Sequence, residues 1–143
     1  MSRYDIERFV RAQANVSSGY AVALGEVESG RKESHWIWYI FPQLRGLGHS
    51  AFSDYYGLAD LDEARRYLSH PVLGPRLREV SQAMLRHVGT SADIVLSPVD
   101  ALKLRSSMTL FDLVSPCDVF RQVLDAFFFG GQCQRTLQMT TSA

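Results

Sequence analysis

Ser34-His35-Trp36-Ile37-Trp38-Tyr39-Ile40-Phe41-Pro42-Gln43 has the best claim in the chain to be a β-strand. No segment shows sustained alternation of apolar and polar residues with β-branched enrichment, and one strand cannot make a sheet. The segment is therefore read as a short helix or turn, ended by Pro42. Gly46-Leu47-Gly48 then turns it into an irregular loop. With that candidate removed, only helices remain to build the core.

Helical spacing runs outward from it on both sides. Asp5 can cap a helix carrying Ile6, Phe9 and Val10, and a second pattern runs from about Ser17 through Tyr20, Ala23, Leu24 and Val27 to a stop at Gly30. Asp60 with Glu63 three residues on is a capping-box-like start for a helix that ends before Pro71. Pro75 fits the first turn of the next helix, whose stripe is Leu77, Val80, Met84 and Val88 and whose stop is Gly89. A short turn capped by Thr90 or Ser91 leads to Pro98, which opens a longer helix to about Val114. Pro116 opens another that Gly130-Gly131 closes. The expectation is an all-α, non-repetitive bundle of about seven or eight short helices: one domain over residues 1–139 and a frayed tail over 140–143.

Composition sets limits on function. At 143 residues, 46% hydrophobic and 21% charged, the chain can bury one core without disulfides or a structural metal. Fifteen basic residues balance fifteen acidic ones, so nothing drives the protein as a whole toward nucleic acid or an anionic membrane. Two cysteines, Cys117 and Cys133, make neither a zinc site nor a disulfide framework, and with no apolar leader or membrane span the expected home is the cytoplasm. Only Arg135 stands near either thiol, so no nucleophilic cysteine is expected. No cofactor or metal is expected.

The aromatic segment passes from an apolar wall into Gln43 and Arg45, the makeup of a ligand pocket. Trp36 and Trp38 are platform or core, and His35 is a general acid or base or a structural histidine. Arg45 offers paired donors to phosphate or carboxylate. On the helix begun at Pro98, Asp100, Lys103, Ser107, Leu104, Phe111 and Val114 share one sector. A lysine there requires either Asp100 as its ion-pair partner or an anion in front of it. Ser106, Ser107 and Thr109 add hydroxyls that bind phosphate or turn back onto their own helix. His49 and His70 are read as structural, His70 as a charge at a helix end.

Gly30-Arg31-Lys32, the aromatic segment and Gly46-Leu47-Gly48 resemble the signature of the bacterial DUF1810 family of unknown function, which sometimes carries the label calpastatin. His70-Pro71-Val72-Leu73-Gly74-Pro75-Arg76-Leu77, the run Leu102 to Phe111, and Gly130-Gly131 with Arg135-Thr136-Leu137 match it too, so the resemblance spans nearly the whole chain. It implies a compact all-α fold and brings no established activity. The calpastatin label implies a largely disordered repeat protein, which this composition contradicts. Ile37 stands where the family usually has methionine, and Cys133-Gln134 where an acidic residue commonly precedes the Arg-Thr pair. A looser likeness to the NADAR group implies ADP-ribose and N-glycosidic cleavage, with Asp100 as the supporting carboxylate, Trp36 or Trp38 as the platform and Lys103 or Arg45 as the phosphate anchor; His35, read from the residues themselves, is the other catalytic candidate.

The functional expectation is a pocket for a phosphorylated, nucleotide-like small molecule, lined by Trp36, Trp38, Gln43, Arg45, Lys103, Ser106, Ser107 and Thr109. The alternative is a non-catalytic interaction domain that uses the aromatic segment against another protein.

Overall fold

Asp5 opens the first helix by accepting the Glu7 N–H at 3.0 Å, and α1 (Glu7–Gln13) buries Phe9. The computed structural model describes residues 4–141. The second helix begins later than its pattern predicts, because the Asn15 side chain takes the N–H groups of Ser17 and Ser18 at 2.9 and 3.1 Å and holds them in a turn. Helix α2 (Tyr20–Ser29) ends at Gly30, whose φ of 80° is the left-handed stop expected there. The aromatic segment forms a single turn, α3 (Ile37–Ile40). Ser50 caps α4 (Ala51–Tyr56) by accepting the Ser53 N–H at 3.0 Å. Asp60 caps α5 (Leu61–Ser69) through the Glu63 N–H at 2.9 Å.

Helix α6 (Leu73–Met84) continues as a 3-10 turn over Leu85–His87. That tightening rotates Val88 off the buried stripe, and it is 60% exposed instead of packed. The short α7 (Ala92–Leu96) leads to Ser97, a non-glycine residue at φ 95°, which accepts the Asp100 N–H at 3.3 Å and caps α8 (Pro98–Val114). Helix α9 (Val119–Phe128) starts at the cap Asp118 rather than at Pro116, since Cys117 at φ 64° breaks the turn between them. It stops at Phe129, left-handed at φ 53°, one residue before the glycines. A last helix, α10 (Gln134–Thr141), runs through two residues read from sequence as tail; residues 142 and 143 lie outside the described ones.

The described residues are thus all helical in class, with ten α-helices where seven or eight were expected. The two without a counterpart in the sequence reading are α4 and α10, pieces of six and eight residues too short for periodicity to register. The sole extended pairing among them is a bridge between Leu44 and Leu58. Among the described residues no helix is long and apolar enough to cross a membrane.

Helix α8 lies at the centre, packed against α5, α7, α9 and α10. Every residue from Ser106 to Asp112 is buried, so no one-sided stripe exists for a sequence reading to find.

The irregular stretch between α3 and α5 is organised by Arg8. Its side chain is completely buried with that of Glu63, Nη1 to Oε2 3.1 Å. The same guanidinium donates to the carbonyls of Tyr55 at 2.7 Å, Asp5 at 2.8 Å and Gly57 at 3.1 Å. Nothing local singles it out, because Arg8 is only the neighbour of Phe9 on a short helix whose pattern is set by Ile6, Phe9 and Val10. Replacing Glu63 by alanine strands this charge, and the expected loss is about 3–5 kcal/mol in urea unfolding. Arg65→Ala, which removes an exposed pair with Asp62, should cost under about 1 kcal/mol in the same measurement.

Candidate functional site

The two tryptophans part company at α3. Residues two apart on a helix point to opposite sides, so when Trp36 turns inward Trp38 is carried outward. Trp36 is fully buried, and its indole N–H donates to Glu26 Oε1 at 2.9 Å. The Glu26 carboxylate also accepts the N–H groups of Glu33 and Ser34 at 2.8 and 2.9 Å and the Ser34 hydroxyl at 2.6 Å. Burial pushes this carboxyl's pKa up, but those hydrogen bonds outweigh it and draw it down to about 2. Trp36 is core, and Glu26 is what fixes the entry to the aromatic segment.

Trp38 is half-buried and faces α8, where the Lys103 ammonium sits 4.2 Å from its ring centre. Lys103 also pairs with Asp100 at 3.1 Å, and Asp100 pairs again with Lys32 at 2.9 Å. Lys32 in turn lies 5.1 Å from the Trp36 ring. Of the two alternatives for Lys103 the structure shows the ion pair with Asp100, in which two ammonium groups share that one carboxylate. Asp100 is held by both lysines, an arrangement of an ion-pair anchor rather than of a free acid or base.

Beside Lys103 opens a cavity of about 480 Å³. Its apolar wall comes from Leu47, Val99 and Leu102, and its polar lining from Gln43, Lys103, Arg105, Ser106, Cys133 and Arg135. Three cations and no carboxylate line it. Gln43 reaches it because the Leu44–Leu58 bridge clamps the backbone, with the Gln43 carbonyl accepting the Leu58 N–H at 2.9 Å. Gly48 on the same wall is required by space: a Cβ there would stand 2.4 Å from Ser53 Oγ. Arg105 is steered by donating to the Gly131 carbonyl at 2.8 Å. A smaller depression of about 260 Å³ between α5 and α10 is lined by Asp60 and Asp62 without a cation.

Residues 3–140 match the family described as Protein of unknown function, DUF1810. The chain belongs to this family. It is also similar to the crystal structure of a conserved hypothetical protein from Mycobacterium tuberculosis, at 40% identity and a TM-score of 0.93, over 99% of this chain and 100% of that one. No curated protein matches.

Within this DUF1810 chain, the structure brings together Trp38, Gln43, Lys103 and Ser106 of the residues singled out from sequence. Others lie apart from the cavity. Arg45 donates to the carbonyls of Asp54 and Gly57 at 2.8 and 2.9 Å and supports the loop. His35 is exposed; it precedes α3 instead of sharing a face with Trp38. Ser107 is fully buried with its hydroxyl unpartnered. Thr109 donates to the Arg105 carbonyl at 2.8 Å and accepts the Cys133 N–H at 2.9 Å. His70 is not a charged helix end: its Nδ1 accepts the N–H groups of Val72 and Leu73 at 3.1 and 3.3 Å, capping α6, while Nε2 meets Glu7 at 2.6 Å. Among the described residues no three metal-ligating side chains cluster.

The residue missed by sequence is Cys133. It precedes α10, and its Sγ accepts from the Ser106 hydroxyl at 3.3 Å. Burial pushes the thiol pKa up, but the hydroxyls of Ser106 and Thr136 and the N–H groups of Thr136 and Arg135 outweigh it, leaving the thiol below its ordinary value. A signal existed in Arg135-Thr136 downstream, but Ser106 is 27 residues away and only the fold unites them.

The Glu26 anchor yields a pH dependence. Its folded pKa, about 2, lies below the ordinary 4.5, so its stabilisation is complete above the unfolded value and is lost as pH falls from there toward the folded one. Glu26→Gln should unfold at lower urea than the parent at pH 7, and the gap between them should narrow as the pH is taken down through that window.

Proposed function

We propose that the cavity beside Lys103 binds a small anionic molecule carrying a phosphoryl group, nucleotide-like in size, in a cytoplasmic protein. The observation that carries this reading is the charge of the lining: Lys103, Arg105 and Arg135 contribute cations, no carboxylate lines the cavity, and Asp100, the partner of Lys103, is shared with Lys32. A volume of about 480 Å³ falls within the ~300–1,000 Å³ of small-molecule sites. The apolar wall and the Gln43 amide suit a planar polar group next to the phosphoryl. ADP-ribose and related nucleotides are of this chemistry.

Binding is better supported than N-glycosidic hydrolysis. That reaction needs a carboxylate beside the reacting carbon, and Asp100 is bound between Lys32 and Lys103. The interaction-domain alternative required the aromatic segment at the surface, and Trp36, Ile37, Tyr39, Ile40 and Phe41 are all buried.

The test is a thermal-shift screen with inorganic phosphate, nucleotides, ADP-ribose and sugar phosphates. A ligand present at about a hundred times its dissociation constant stabilises by ~2.7 kcal/mol. Lys103→Ala should abolish the shift and Arg135→Ala should reduce it. Arg86→Ala should leave it unchanged, since Arg86 pairs with Glu28 on an exposed face of the protein. Equal losses in all three variants, or no shift with any phosphorylated compound, would refute the reading.

A further inference from the structure

We propose that Cys133 is a reactive thiol that exchanges with small disulfides bearing anionic groups, so that a mixed disulfide occupies the cavity. The inference rests on the anionic-ligand reading of that cavity and adds covalent chemistry to it. Three independent features of the geometry support it. The sulfur lies on the cavity wall at the start of the eight-residue α10, where backbone N–H groups point out of the helix. The Ser106 hydroxyl stands 3.3 Å from the sulfur and divides its one hydrogen between it and the Leu102 carbonyl at 3.1 Å, and Thr109 holds the Cys133 N–H, so the thiol is fixed from the central helix rather than swinging on a loop.

The second feature is Gln43. It is 8% exposed and lines the same cavity, yet its amide forms no hydrogen bond among the described residues. Its amide is left to the solvent of the cavity, and an occupant with polar groups would take the place of that water. The third is Thr136, whose hydroxyl is fully buried and lacks a partner of full hydrogen-bond geometry. It lies against the Cys133 sulfur, and a negative charge there supplies the missing acceptor.

The exchange balances without further reagents. The Cys133 thiolate attacks one sulfur of the incoming disulfide, a new S–S bond forms and the old one breaks. The displaced half leaves as a thiolate and takes a proton from water. The small disulfide is the oxidant and is reduced; Cys133 is oxidised. Lys103, Arg105 and Arg135 would draw an anionic disulfide in and repel a cationic one.

Cys117, exposed on the turn before α9, is an internal reference in the same molecule. The experiment treats the intact folded protein with a dianionic disulfide, dithio-bis-nitrobenzoate, or with the dicationic cystamine. Peptide mass spectrometry follows modification at each cysteine with time. Cys133 should react about tenfold faster than Cys117 with the anionic reagent and lose that lead with the cationic one. Arg135→Ala, an exposed position, should shrink the charge preference, and Ser106→Ala should slow Cys133 with both reagents. Cys133 reacting no faster than Cys117 with the anionic disulfide, or keeping the same lead over Cys117 with both reagents, would overturn the proposal.

Cys133→Ser separates the two readings. If it keeps the phosphate-dependent thermal shift while Cys133 of the parent is inert to disulfides, only the thiol inference falls. If no phosphorylated compound shifts either protein while Cys133 remains charge-selective, the ligand reading falls and the thiol stands.

Discussion

A guanidinium shut away from water holds the first half of the chain together. An arginine is not released from its charge by burial, so Arg8 must find partners for its donors inside the protein. It finds one carboxylate, Glu63, and carbonyls from Asp5, Tyr55 and Gly57. Those last two carbonyls belong to chain that is neither long helix nor sheet, and their hydrogen-bonding needs are met by the arginine instead of by a ladder. The consequence reaches the cavity. With Gly57 fixed, Leu58 meets Leu44, and this bridge sets the backbone of Gln43 on the cavity wall.

Helix ends were legible where a local rule acted without competition. Asp60 and Gly30 behave as a cap and a stop because their effects reach only a few residues. Pro98 opens α8 for the same reason. The rest escaped for physical causes that differ from place to place. Arg8 does not stand out because nothing local reveals that the segment from Tyr55 to Gly57 folds over it. Val88 looks buried because the period changes from 3.6 to 3 one turn earlier. Helix α8 defied a one-face assignment because its stretch from Ser106 to Asp112 is covered on every side.

The site was partly visible for a related reason. Lys103 and Asp100, three apart, were bound to meet on any helix, and they do. Trp36 and Trp38 could not serve one surface together, since a two-residue step reverses direction; the sequence named both but had no means of choosing. What selects Trp36 for the core is Glu26, ten residues earlier and on another helix, because an indole N–H can be buried only where an acceptor waits. Cys133 was passed over because its neighbours in sequence are only half of its environment. The other half, Ser106 and Thr109, lies on α8.

A chain with fifteen charges of each sign still produces a one-signed cavity, and it does so by placing carboxylates where they are used up. Asp100, the acid nearest the lining, is divided between Lys32 and Lys103, so the field at the opening is set by the remainder. That field acts on two candidates for negative charge: a guest in the cavity and the sulfur on its wall. Both draw on the same cations, and each screens them from the other. By linkage, whatever free energy a bound anion takes from thiolate formation, an ionised Cys133 takes equally from anion binding. For the proposed anionic guest the three cations of the lining outnumber the single thiolate charge, so an anionic disulfide would still be drawn in, although less strongly than with the thiol neutral.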